Sequence, residues 1–398
     1  MTTNLTNSTN KVPNVPPLRF PEFTEEWEKC ELGDIMLYSK ERIPTNTLSD
    51  ENYVSTENML PNFGGKCRAN GLPTNGSAIV YQTGDILLSN IRPYLKKVWL
   101  AKNNGGCSTD VFVLKANQEK CNSDYLHYII ASDNFIDYVM SGAKGIKMPR
   151  GDKEQIKKYR LSIPTPNEQC KIAALLSKLD TRIETQNKII QHLESLIKGI
   201  VVTHFNQCRN KQVITISDLG TAYSVGNLSK EDLSEYGEPC ILYGELFTTY
   251  GCVAHNIISR TNKYEQATLS QINDLLFPAS TTVDAVSLIA PTSIQTHGVY
   301  VAGDMFGIHI QPQYDSQYIS YLLNFVYNKE LAKYAQGSTI IHLHYSDIKR
   351  ARILVPLLDE QKKCNQLLAT LQKKLAAESL VLQMYQSQKQ YLLQQMFI

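Results

Sequence analysis

Two stretches of this chain are written to one pattern. "IPTPNEQCKIAALLSKLDTRI" at 163–183 and "VPLLDEQKKCNQLLATLQKKL" at 355–375 both leave an apolar run through a proline. Both then reach Glu-Gln and continue with apolar residues at helical spacing. Gln169 and Gln361 lie 192 residues apart. Weaker matches keep the same order: "SDYLHYIIASDNFIDYVMSGAKGI" (123–146) with "SQYISYLLNFVYNKELAKYAQGSTII" (316–341), "DVFVL" (110–114) with "DMFGI" (304–308), "GDILLS" (84–89) with "NDLLFP" (273–278), and "LGD" (32–34) with "LGT" (219–221). Collinearity of this kind marks an internal duplication. The unit is a mixed region of about 150 residues followed by a helix of about 40.

After Pro166 no proline or glycine appears before Gly199. With Leu176, Ile183, Ile190 and Ile197 at heptad position a, position d holds Ile172, Leu179, Gln186, Leu193 and Ile200. One polar residue in that seam is a coiled-coil pattern. The second helix carries Leu368, Leu375, Leu382, Lys389 and Met396 at a, and Cys364, Leu371, Glu378, Tyr385 and Leu392 at d. Gln186 and Glu378 put a polar residue at the same level of both. Two amphipathic helices in separate cores would carry a similar pattern. A shared antiparallel seam is favoured, because each helix is too long for its own small domain to cover.

The mixed regions read as α+β. "AIVYQTGDILLSN" and "VWLAKN" have strand character between glycine and asparagine turns. "SDYLHYIIASDNFIDYVM" reads as one helix, capped by Ser123 and Asp124 and ending near Gly142. "KKYRLSIP" and "RARILVP" return as strands, and the proline after each disfavours helix just before it, giving sharp joints into the long helices. The expected divisions are a disordered tail over 1–15, a first domain over 16–165, a central helix over 166–205, a second domain over 206–356 and a C-terminal helix over 357–398. Each domain is expected to have its own core and to stay folded if the seam is broken.

Hydrophobic content of 42%, charged content of 20% and a net charge of +2 are ordinary for a globular protein. No global basic field advertises nucleic acid, so any basic surface must be local. Nine cysteines without a CxxC pair read as reduced thiols. No apolar run approaches the ~20 residues that span a bilayer. The start, "MTTNLTNSTNKVPNVPP", lacks the features of a signal peptide, so the expected compartment is the cytoplasm.

Motifs for chemistry are scarce. "NFGGKC" and "SGAKGIK" lack the spacing of a P-loop, and no GxGxxG follows a strand. The Asn-Pro-Pro-aromatic signature of amino-methyltransferases is absent. "HLH" at 342–344 has no acidic or cysteine partner at metal-ligand spacing, so no metal site is expected there. Asp347 followed by Glu360-x-Lys362 superficially echoes a nuclease triad. Glu360, however, opens a long helix at a duplicated position, where a carboxylate favours the helix dipole by ~0.3–1 kcal/mol. The chain reads as a binder, with no catalytic residue.

Charge is uneven. Lys144, Lys147, Arg150, Lys153, Lys157, Lys158 and Arg160 crowd one stretch against Asp152 and Glu154. "NIRPYLKKVW" at 90–99 interleaves Arg92, Lys96 and Lys97 with Tyr94 and Trp99. Basic residues mixed with planar ones suit phosphate and base contacts, and a plain solvated surface is the competing explanation. Residues 206–355 hold ten Lys/Arg against thirteen Asp/Glu, so a second patch must be small, such as Lys349, Arg350 and Arg352. Candidate nucleic-acid contacts in the first domain are Ser89, Arg92, Tyr94, Lys96, Lys97, Lys144, Lys147 and Arg150. The aligned loop in the second offers Ser338, Thr339, His342 and His344, with Ser280 and Thr281 at the "GDILLS" counterpart.

The sequence resembles the specificity subunits of bacterial type I restriction–modification enzymes. The resemblance rests on "LRFPEFTEEWEKCELGDI" (18–35), "GDILLSNIRP", the two strand-Pro-x-x-x-Glu-Gln joints and "YLLQQMFI", and covers the chain from about Pro16. The joints read "PTPNEQ" and "PLLDEQ", whereas "PPLxEQ" is commoner in that family. The resemblance implies two α/β target-recognition domains, each reading one half of a split double-stranded DNA site. It implies an antiparallel coiled coil joining them with pseudo-twofold symmetry. It further implies docking of two methyltransferase subunits and two restriction subunits, which form an adenine methyltransferase and ATP-dependent nuclease. S-adenosylmethionine, ATP and Mg²⁺ belong to those partners, and no cofactor to this chain; no membrane is involved. A protein-binding coiled-coil scaffold, and a subunit with methylation or cleavage activity of its own, are the alternatives.

Overall fold

The computed structural model describes residues 13–73, 75–263 and 268–398. It divides into two compact units, one running to Gln186 and taking in Val381–Ile398, the other spanning Asn187–Leu380. Most of the expected tail lies outside the described residues. Asn14 and Val15, also assigned to it, are held: the Asn14 side chain donates to the Trp27 carbonyl at 2.6 Å, and Val15 packs on the core.

In the first unit an antiparallel four-stranded sheet runs in the order Met36–Tyr38, Val111–Ala116, Ile86–Ser89, Val98–Leu100. A second four-stranded sheet orders Arg42–Pro44, Ser77–Tyr81, Gly105–Cys107, Tyr53–Val54. The other unit repeats the theme with five strands, Gly220–Ser224, Met305–Ile310, Asp274–Pro278, Thr292–Ile294 and Val253–Ala254. Its second sheet orders Leu233–Ser234, Arg260–Thr261, Glu238–Leu242, Tyr300–Ala302 and Thr268–Leu269. The "GDILLS" and "DVFVL" matches are the central strands of the first sheet in each copy, Ile86–Ser89 beside Val111–Ala116 and Asp274–Pro278 beside Met305–Ile310.

The strand before each long helix pairs with a strand from the start of its own domain. Arg160–Ile163 pairs antiparallel with Glu28–Glu31, and Arg352–Pro356 with Lys211–Thr215. The domain therefore closes on itself at the joint. Between sheet and joint, the expected single helix is two, Ser123–Ile130 and Asp133–Ser141. Asn122, not Ser123, caps the first by accepting from the Tyr125 N–H, and Ser132 caps the second. Both are short acceptors at an N-cap, and a second cap within the run forces a break.

The first long helix covers Pro166–Gln207, 42 residues, and opens on a proline whose missing N–H costs nothing in the first turn. The second covers Leu358–Gln395. Each lends one half to each unit. In the first unit Lys389 Nζ lies 2.6 Å from Asp180, and Arg182 stands over the Tyr385 ring, so numbering rises along one helix as it falls along the other. In the other unit His204 lies beside Glu360, while 194–198 and 372–379 line one common cavity, giving the same antiparallel sense. Of the expected seam, Ile172, Leu176, Leu179, Leu193 and Leu368 are buried, and Ile183, Ile190, Leu371, Leu375 and Leu382 are half-buried. Gln186 is buried too.

Helix and domain do not have separate cores. Ile172, Ala173, Leu176 and Met396 belong to the same cluster as Trp27, Leu32, Ile86, Tyr125 and Ile163. Ile197, Val201, Phe205, Cys364 and Leu368 belong with Ile214, Leu275, Tyr318 and Val355. The expectation that each domain has a core of its own is corrected accordingly: burial of the helical apolar face is part of what stabilises the domain. No helix of the described residues is long and apolar enough to cross a membrane.

Candidate nucleic-acid interface

The "EQ" signature owes its glutamine to the joint. Gln169 and Gln361 are both fully buried. Gln169 Oε1 accepts from the Asn122 N–H at 2.9 Å, while its Nε2 donates to the carbonyls of Lys120 and Pro164. Gln361 accepts from the Asp315 N–H at 2.8 Å and donates to Pro356. One amide thus ties together strand end, helix start and the neighbouring cap in each copy. The glutamates differ: Glu168 is buried and takes two hydrogen bonds from Arg19, at 2.7 Å each, whereas Glu360 is half-buried beside Lys363.

With the joint fixed, two loops far apart in sequence meet in the first unit. Ile91 stands opposite Arg150 in an antiparallel bridge. The Arg92 N–H donates to Pro149 at 2.9 Å and the Gly151 N–H to Asn90 at 3.2 Å. Lys144 and Arg150 exchange both backbone hydrogen bonds at 2.9 Å, closing a hairpin whose Gly145 has φ +96°. Its tip is Ile146-Lys147-Met148, and the Ile146 side chain is wholly in solvent. On the other loop Arg92 and Lys96 both adopt positive φ, 50° and 55°, around a short turn at Pro93–Leu95. Such backbone is unusual without glycine and fixes where these side chains emerge.

The candidates then separate. Among the described residues, the side chains of Arg92, Tyr94 and Lys147 make no ion pair or hydrogen bond, and all three are exposed. Lys96 pairs with Asp133 at 2.7 Å, Lys144 with Asp152, and Arg150 with Asp110 at 3.5 Å. Exposed pairs of this kind are weak, so a phosphate can compete for the cation. Lys144 also holds the Asp152 carboxyl below the usual range. Lys97 donates to the Thr56 carbonyl at 2.6 Å and braces the loop. Ser89 is corrected: it is buried and donates its hydroxyl to the Ile91 carbonyl, so it shapes the loop and does not face outward.

The second unit builds the same hairpin without the cations. Gln336 and His342 exchange backbone hydrogen bonds at 2.9 and 2.7 Å around Gly337, φ +113°. This is the Lys144–Arg150 closure 192 residues on. Ser338, Thr339 and Ile340 form the exposed tip. Ser280 and Thr281 pair with His342 and Ile341, the counterpart of the Ile91–Arg150 bridge, but Ser280 is buried. His344 is exposed, with its ring stacked 6.2 Å from that of His342. Lys349 and Arg350 are exposed just beyond. Sequence reasoning missed Ile146 and Ile340; the signal available was an apolar residue one to three positions after a glycine in an otherwise polar loop.

A model of the type I restriction modification DNA specificity domain matches twice, over residues 24–195 and 209–381, each stretch being one domain with the larger part of its following helix. The chain belongs to that family. It is 24% identical over 378 residues to the MjaVIII specificity subunit of Methanocaldococcus jannaschii, covering 87% of this chain and 85% of that one. It is 24% identical over 188 residues to the HindI specificity subunit of Haemophilus influenzae, or 45% of this chain and 41% of that protein. The fold is that of the S subunit of the type I system of M. genitalium, with a TM-score of 0.59 over 96% of this chain and 99% of the other, at 14% identity.

Proposed function

We propose that this chain is the DNA-reading, non-catalytic subunit of a type I restriction–modification complex, and that its two domains read different half-sites of a bipartite, asymmetric target. What carries this reading is the double family match laid on two units that each bring a hairpin tip to a neighbouring loop. The first unit offers Arg92, Tyr94, Lys96, Lys144, Lys147 and Arg150, a mixture that grips phosphates and stacks on bases. The second offers Ser338, Thr339, His342, His344 and Thr281, which read base edges more than they attract the backbone. Two loops so differently charged do not read one sequence.

In this reading two methyltransferase and two restriction subunits dock on the protein in the cytoplasm and supply S-adenosylmethionine, ATP and Mg²⁺. The long helices, each lending a half to both units, act as the spacer. Methylome sequencing of cells with and without this chain tests the proposal. A split motif with two unlike halves that appears only with the chain is expected; no chain-dependent motif would overturn it. Replacing residues 206–355 with the equivalent region of a relative changes one half only, and a change in both halves defeats the modular reading.

A further inference from the structure

Where the two long helices meet in the second unit, three metal-binding side chains of different kinds converge. His204 and Cys208, four residues apart and so on one helical face, project from the end of Pro166–Gln207 and the residue after it. Glu360 comes from the first turn of Leu358–Gln395. Cys208 Sγ lies 3.7 Å from His204 Nε2 and 4.0 Å from Glu360 Oε2, and His204 Nε2 lies 3.7 Å from the same oxygen. A tetrahedral zinc with bonds of about 2.0–2.3 Å sets its donors roughly 3.3–3.6 Å apart, so a contraction of a few tenths of an ångström completes the triangle.

The groups behind the trio hold it in a ligating orientation. The Tyr318 hydroxyl lies 3.4 Å from His204 Nδ1. Although that nitrogen is also 3.8 Å from Cys208 Sγ, it is Nε2 that faces Glu360, so Tyr318 suits an outer partner that leaves Nε2 free to ligate. Lys363 holds Glu360 Oε1 at 2.6 Å, leaving Oε2 to face the histidine and the cysteine. All three ligands are half-buried, which leaves room for entry of an ion. Among the described residues no other trio of such donors converges this closely. The first unit solves the same place differently: Glu168, the duplicate of Glu360, is neutralised by Arg19, which precedes the first strand of its domain as His204 precedes Lys211–Thr215.

We propose that His204, Cys208 and Glu360 hold a structural divalent cation of the zinc class, with water at the fourth corner. The cation clips the end of one long helix to the start of the other. Binding releases the Cys208 proton and leaves the metal's oxidation state unchanged. Cobalt(II) is the probe, added to the purified full-length chain after treatment with a chelator. One ion per chain is expected, with the visible absorption of tetrahedral cobalt and a near-ultraviolet thiolate-to-cobalt band. Cys208→Ser abolishes the thiolate band while Cys170→Ser, at an exposed cysteine, leaves it intact. Glu360→Gln, which preserves side-chain shape, keeps the fold by circular dichroism and weakens cobalt binding roughly tenfold or more. Absence of the tetrahedral spectrum in the wild-type chain, survival of the thiolate band in Cys208→Ser, or unchanged affinity in Glu360→Gln would each overturn the assignment.

Discussion

Arg150 stands directly across an antiparallel bridge from Ile91, and through that pairing two basic loops far apart in the sequence of the first domain form one surface. Arg92 follows Ile91 and Lys147 precedes Arg150 by one turn of the hairpin, so the two cations without partners flank the same seam.

Lys147 at the hairpin tip is placed to meet a phosphate. Lys147→Ala weakens binding of the assembled complex at every sequence alike, and lowers the slope of log K against log salt by about 0.9, one phosphate's share. Affinity measured across a salt series checks this; an unchanged slope means the side chain does not touch the backbone.

Ile146 carries no charge yet is fully exposed beside Lys147. An apolar side chain in that position suits a wedge against a base step. Ile146→Ser therefore costs about 1–2 kcal/mol of affinity while leaving the salt slope where it was, a result opposite in kind to that of Lys147→Ala.

The duplicated glutamines answer to stability. Gln361→Leu removes the half-buried hydrogen bond to the Asp315 N–H and the buried one to the Pro356 carbonyl, and Gln169→Leu removes half-buried bonds to Asn122 and Lys120 and the buried one to the Pro164 carbonyl. A buried group left unpaired costs about 1–3 kcal/mol and a half-buried one less, so Gln361→Leu lowers stability by roughly 2–4 kcal/mol in urea unfolding, and Gln169→Leu, which strips one bond more, by somewhat more.

Burial distinguishes the seam positions. Leu368 is enclosed with Ile197 and Val201, whereas Ile190 is half-buried. Leu368→Asp costs several kcal/mol and unfolds its unit, because it places a charge inside the apolar cluster that Leu368 shares with Ile197 and Val201. Ile190→Asp costs less, and its effect falls on methylation by the complex. Circular dichroism beside a methylation assay separates the two outcomes.

Acid destabilises the first unit through His127. Its Nδ1 is enclosed without a hydrogen-bond partner among the described residues, and burial, with Lys389 nearby, pushes its pKa from 6.5 down to about 4 despite Asp180. The unfolded chain takes up a proton below pH 6.5 that the folded chain refuses until about 4, so stability falls as pH drops through that window. Between pH 7 and 5 the loss is about 1–2 kcal/mol. In His127→Gln the urea midpoint should move correspondingly less over that range.

The duplication was legible because its carriers are local: a proline joint, a Glu-Gln pair and heptad spacing are all written in consecutive residues. The hairpin closure was not, since the pairing of Ile91 with Arg150 joins segments whose periodicities say nothing of each other. Gln169 and Gln361 were seen as markers but not as locks, because their partners are backbone groups, which every residue has. Ser89 misled for the opposite reason: a hydroxyl beside a basic loop resembles a contact until its burial is known. The division between domain and helix was drawn where composition changes, while the core ignores that change.

Leu392, Leu393, Met396 and Phe397 pack into the core of the first unit, where the Phe397 ring stacks on Tyr125 and the Gln395 carbonyl accepts from the Leu18 N–H. A ribosome makes that unit's sheets early and these residues very late. The domain translated first is thus finished last, after its duplicate has already emerged with both of its own helical halves. Until then the nascent first domain exposes the face that Tyr125 and Leu176 present to Met396 and Phe397, a window in which chaperones or another copy's helix have access. A premature stop a few codons before residue 392 consequently damages the half of the protein farthest from it in the message.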